Sequence, residues 1–239
     1  MTTSRRDQLV GNRLALVGTV LYFMEWIGIA LLTSSLPTDR LGHNPAATVA
    51  DYADHPGRTA LVAGWFSVVL LGRVVFSVGL RSAFHGMRRE FALADVALVA
   101  MAVSVAIEVI GFGLVASGAW LADAHAEAGT IVALDGAGTV LSKLVFGPLG
   151  LCVVAGSLAM LVSQLFPRWL AWLGLVAGAL LTFGGIVGAS AQGATGSFHD
   201  IGGAFTGVPV LGFWIWMIAT SIVLFRAAPR PEAAAATVG

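Results

Sequence analysis

Four ionisable side chains, Glu25, Arg73, Glu108 and Lys143, stand in stretches that otherwise suit lipid. A charge in the middle of a membrane-spanning helix costs roughly 3 kcal/mol or more even on the forgiving insertion scale, so each should face the protein interior and have a partner there. Two acids and two bases of this kind have two uses. They neutralise one another as buried ion pairs that fix helix register, or they hold a proton or a substrate at mid-membrane. Glu108 lies in Ala106-Ile107-Glu108-Val109-Ile110-Gly111, and Lys143 in the next apolar segment is its expected partner; Glu25 and Arg73 repeat the arrangement earlier in the chain. At about 1.5 Å per residue from the outer segment ends, Glu108 and Lys143 both come out about 18 Å deep, Glu25 about 10 Å and Arg73 about 20 Å. The long guanidinium stem bridges that last mismatch.

These residues must be held by long apolar helices. Of the 239 residues, 57% are hydrophobic and 11% charged, against about 25% charged in soluble domains, which excludes a water-soluble globule. The expected fold class is therefore all-α, a polytopic membrane bundle of six transmembrane helices over residues 14–32, 59–80, 94–121, 131–163, 169–189 and 208–225. The first run has the length of a span and is not followed by a small-residue cleavage site, so it reads as a retained helix and not as a signal peptide. The third and fourth exceed the roughly 20 residues a span needs, and Pro148 predicts a kink in the fourth. In the connection between the first two, Asn44-Pro45 predicts a short helix over 46–53, ended by His55-Pro56-Gly57. Residues 1–226 thus form the transmembrane domain, and the Pro- and Ala-rich residues 227–239 a disordered cytoplasmic tail.

Charge placement orients the bundle. With the N-terminus inside, the inner segments carry nine arginines (Arg5, Arg6, Arg13, Arg81, Arg88, Arg89, Arg168, Arg226 and Arg230) and the outer loops only Arg40 and Arg58. That asymmetry places both termini in the cytoplasm of a cell or inner membrane. The formal net charge of zero removes any case for nucleic-acid binding.

An internal repeat is also legible. Glu25-Trp26-Ile27-Gly28-Ile29-Ala30-Leu31 matches Glu108-Val109-Ile110-Gly111-Phe112-Gly113-Leu114 at Glu, Ile, Gly and Leu, and Leu71-Gly72-Arg73-Val74-Val75-Phe76-Ser77 matches Leu141-Ser142-Lys143-Leu144-Val145-Phe146-Gly147 with a base in third place. The expectation is a tandem hairpin repeat, helices one and two duplicated as three and four.

Other chemistries find no support. The lone Cys152 has no disulfide or thiolate-metal partner. The five histidines fall in loops or at segment ends, which does not suit haem between helices, and no HxH or HxxxH spacing supports a metal site. Ser197, His199 and Asp200 are neighbours in sequence, whereas a catalytic triad is assembled by the fold. Neither metal nor cofactor is expected.

The six segments, the long first outer loop with its short helix, the Glu-bearing third helix and the stretch Phe166-Pro167-Arg168-Trp169-Leu170-Ala171-Trp172-Leu173-Gly174-Leu175-Val176-Ala177-Gly178 together resemble an uncharacterised family of bacterial, actinobacterial-type six-helix integral membrane proteins with a domain of unknown function. The resemblance implies fold and membrane location and no activity. Three function classes follow from the residues. A small transporter or proton-linked carrier would use Glu25, Arg73, Glu108 and Lys143 as its site and need a water-accessible cavity reaching them. An intramembrane enzyme acting on a lipid or isoprenoid would use Glu108 or Glu25 as acid or base. A non-catalytic membrane partner would keep the charges paired and dry. The bilayer itself is the partner common to all three.

Overall fold

The computed structural model describes the backbone of residues 5–32, 45–190 and 197–227, and the side chains of 10–29, 45–188 and 207–227. The expected C-terminal tail and most of the first loop lie outside the described residues. Every described element is a helix: α1 (Arg5–Phe23), α2 (Glu25–Leu32), α3 (Pro45–Asp54), α4 (Pro56–Val69), α5 (Leu71–Ala83), α6 (Arg88–Asp123), α7 (Ala128–Leu144), α8 (Phe146–Ser163), α9 (Arg168–Ser190) and α10 (Ser197–Arg226).

Five helical segments are long and apolar enough to cross a membrane: Pro56–Ala83, Arg88–Asp123, Ala128–Ser163, Arg168–Gly188 and Gly207–Arg226. Large apolar side chains are exposed along all five, among them Val68, Val99, Ile110, Val140, Ile186 and Ile222. A water-soluble bundle would bury that surface; here lipid is its natural solvent. The architecture is that of a multi-pass membrane protein.

Three of the long helices are interrupted. Between α1 and α2 and between α4 and α5 one turn tightens: the Ile27 amide donates to the Met24 carbonyl at 3.1 Å, and the Arg73 amide to the Leu70 carbonyl at 3.1 Å. Both are the shorter, three-residue spacing of a 3₁₀ turn. The interruption between α7 and α8 has the cause expected from sequence. Pro148 has no N–H to give the Leu144 carbonyl, so the ladder breaks there; the neighbouring Val145 carbonyl accepts from the Leu149 amide at 3.2 Å and from Ser104 Oγ of α6 at 3.4 Å. The short helix after Asn44-Pro45 forms as α3, and Pro56 restarts the chain as α4 because proline suits the first helical turn, where its missing N–H leaves no bond unmade.

Helix α1 packs lengthwise on α5, α6 on α7 and α8, and α9 between α8 and α10. The first contact depends on glycine. A side chain on Gly18 would strike the backbone of Phe76 and the Gly72 carbonyl, and one on Gly79 the backbone of Ala15. Without those side chains the backbones close together, the usual route to helix association where lipid supplies no hydrophobic drive. Thr19 and Ser221, 2.6 Å apart, and a bond from Ser221 Oγ to the Ala15 carbonyl at 3.1 Å tie α1 to α10.

Candidate functional site

Arg73 is the hub. It sits three residues beyond the Leu70 interruption, 2% exposed, on the face of α5 that looks towards both the first helix and α6. Its Nη2 donates to Oε2 of Glu108 on α6. Its guanidinium carbon lies 5.3 Å from the centre of the Tyr22 ring, a cation–π contact that is favourable in a desolvated site. Tyr22 Oη accepts a hydrogen bond from Trp214 Nε1 of α10 at 3.0 Å. Glu25, which opens α2, lies beside Tyr22 and within electrostatic reach of both Arg73 and Glu108. One guanidinium therefore pairs with Glu108 and has a second carboxylate, Glu25, nearby.

This corrects the pairing expected from depth. The base that reaches Glu108 is Arg73, not Lys143, whose aliphatic stem lies against Gly188 of α9. Depth fixes only the distance along a helix. Which face a residue occupies decides its partner, and the 3₁₀ turn at Leu70 and the break at Val145 rotate the flanking residues away from the count of an unbroken helix. Glu25, Arg73 and Glu108 are thus brought together, and Lys143 faces another helix.

Glu108 is not sealed. Its side chain keeps 21% exposure and opens into a crevice of about 60 Å³ between α6 and α7, lined also by Asp135, Thr139 and Ser142. The crevice exists because α6 and α7 cross where Gly111 faces Gly138, with no side chains to fill the space beside them. A water needs roughly 10–15 Å³ of such space, so a few waters or a small ion fit. A drug-sized or isoprenoid ligand, which takes pockets of about 300 Å³ or more, does not.

Asp135, on the same crevice, is 2% exposed and accepts a hydrogen bond from Tyr52 Oη at 2.7 Å. Tyr52 is fully buried and reaches down from α3 onto Gly118, Ala119, Ala122 and Ile131. Helix α3 is therefore tied by Tyr52 to Asp135, one of the residues that line the crevice. Sequence reasoning missed Asp135, Tyr22 and Tyr52. A usable signal was present, since Tyr22 and Tyr52 are the only two tyrosines in the chain and both sit on this constellation.

Among the described residues no three His, Cys, Asp or Glu side chains gather to hold a metal ion. No family model, curated protein or solved structure matches the chain.

Proposed function

We propose that the protein is a small proton-linked carrier of the cell membrane, with Glu108 as the group that takes up and releases the proton and Arg73 as the counter-charge that holds it in place. The observation that carries this reading is the combination of a buried guanidinium paired with one acid and near a second, with a crevice beside the first that is wide enough for water. A purely structural ion pair is best dry and balanced. Here two carboxylates stand near one base, so one proton on either of them restores neutrality, and its loss leaves a single positive charge facing two negative ones. The crevice volume favours a proton or small ion over the alternative of an enzyme acting on a lipid or isoprenoid.

The helix α1–α2 is the sixth crossing: it packs along α5 and carries Glu25 to the Arg73 centre. The nine-to-two distribution of arginines places both termini in the cytoplasm. The pairing of α1 with α5 and of α6 with α7 and α8 supports two tandem hairpins, although interruptions precede Arg73 and follow Lys143. The turn into α9, residues 166–178, supports membership of the bacterial six-helix family.

The test is proton flux in vesicles. Purified protein reconstituted with a pH-sensitive dye inside and a pH step across the membrane should collapse the step faster than empty vesicles, and Glu108→Gln should abolish the difference. Equal flux for the wild type, the variant and empty vesicles would remove the proton-carrier reading.

A further inference from the structure

We infer that the groove between α6 and α8 is a binding site for one anionic glycerophospholipid, with an acyl chain in the groove and its phosphate on Arg89. The site stands apart from the charged centre and does not depend on the function proposed for it. The groove is a shallow, open one of about 370 Å³, lined by Ala92, Leu93 and Val96 of α6, Leu158 and Val162 of α8, and Arg89 at one end. Arg89, Ala92, Leu93 and Val96 follow the three- and four-residue spacing of a single helix face, and Leu158 and Val162 are one turn apart, so two apolar stripes form the walls and the guanidinium lies at the head of one of them. From Arg89 to Val96 the groove runs about 10 Å along α6. Its space arises because Ala92 is small; α6 and α8 pack against each other, and Ala94, Ala97, Ala155 and Ala159 on them are buried.

Charge selects the occupant. Arg89 makes no ion pair with a described carboxylate. Asp95, the next acid but one along α6, is held by Arg81 of α5, and Glu90 points about 100° away around the helix. The first turn of α6 adds to the attraction: Met87 at its N-cap supplies no side-chain acceptor, so the leading amides favour an anion. A guanidinium engages a phosphate through a two-pronged hydrogen bond that a neutral side chain cannot reproduce. Basic pockets between helices at one membrane face are where anionic headgroups are held.

The test uses the purified full chain in detergent, equilibrated with equal amounts of phosphatidylglycerol and phosphatidylcholine, with bound lipid counted by native mass spectrometry. The wild type should retain phosphatidylglycerol over phosphatidylcholine by about tenfold, consistent with a charge-assisted bidentate contact. Arg89→Gln should remove that preference, Ala92→Phe, which fills the groove and leaves the charge, should lower retention of both lipids, and Arg88→Gln should change neither. Circular dichroism checks that each variant is folded, and if Arg89→Gln is not, Arg89→Lys should give intermediate selectivity. Equal retention of the two lipids by the wild type overturns the proposal. So does loss with Arg89→Gln but not with Ala92→Phe, which would leave only a surface phosphate contact, or loss with Ala92→Phe but not with Arg89→Gln, which would leave a groove indifferent to charge.

Discussion

Between α8 and α9 the chain packs by removing side chains; between α5, α6 and α7 it packs around charges. On the first side, Gly150 meets the Gly178 carbonyl and Thr182, whose hydroxyl bonds back to the Gly178 carbonyl at 3.0 Å. The buried Trp216 indole, edge-on to Phe76 at 5.5 Å between ring centres, closes the neighbouring space. No ion pair among the described residues involves α8, α9 or α10. On the second side sit Arg73, Glu108 and Asp135, two of the helix interruptions, and the water-sized crevice. The difference teaches where function can lie in such a bundle. Glycines bring the backbones of α8 and α9 together without a gap, whereas at the Gly111–Gly138 crossing of α6 and α7 they leave space beside a charged pair that the interrupted helices position.

The largest way to break this contrast is to remove its hub. Arg73→Met strands Glu108 beside Glu25 and should cost on the order of 3–5 kcal/mol, read as a loss of folded protein in detergent unfolding. Adding Glu108→Gln should recover much of the loss. The same cycle with Lys143→Met in place of Arg73→Met should show much weaker coupling, because the base ion-paired with Glu108 is Arg73. Strong coupling between Glu108 and Lys143 would restore the pairing that depth alone indicates.

On the uncharged side, Gly178→Val should cost about 1–3 kcal/mol, seen as a lower unfolding midpoint, because its new carbons would press on the Gly150 carbonyl and the Val154 backbone. Tyr52→Phe keeps the ring and deletes the hydroxyl that Asp135 accepts from. It should cost about 1 kcal/mol and loosen α7 around Asp135, measured as faster hydrogen exchange in α7. Gly113→Ala on the lipid face of α6, where nothing lies within 4 Å, should be neutral or stabilise by about 0.5–1 kcal/mol. A large loss there would mean that α6 faces another protein surface and not lipid.

Much of this was legible in the chain. Apolar runs located the five spanning segments, Pro148 located the break before α8, and Asn44-Pro45 located α3. Three of the four charges singled out do converge. The partner choice was not legible, because it depends on helix rotation at Leu70 and Val145, and a tightened turn leaves no mark in composition. Asp135 escaped notice for a related reason. It lies four residues into its apolar segment, where an acid looks like part of a solvated loop, and only α3 folding over it with Tyr52 makes it buried.

The central claim is that Glu108 is a carboxyl group that binds and releases a proton, reached through the crevice, and not one half of a sealed ion pair. A hydrophobic carbodiimide tests it directly, since the reagent modifies a membrane carboxyl only while that carboxyl holds a proton. The peptide containing Glu108 should be modified in the folded protein, and Asp135 should be modified more readily in Tyr52→Phe than in the wild type. A Glu108 that stays unmodified in the folded protein, while the unfolded chain is modified, would contradict it.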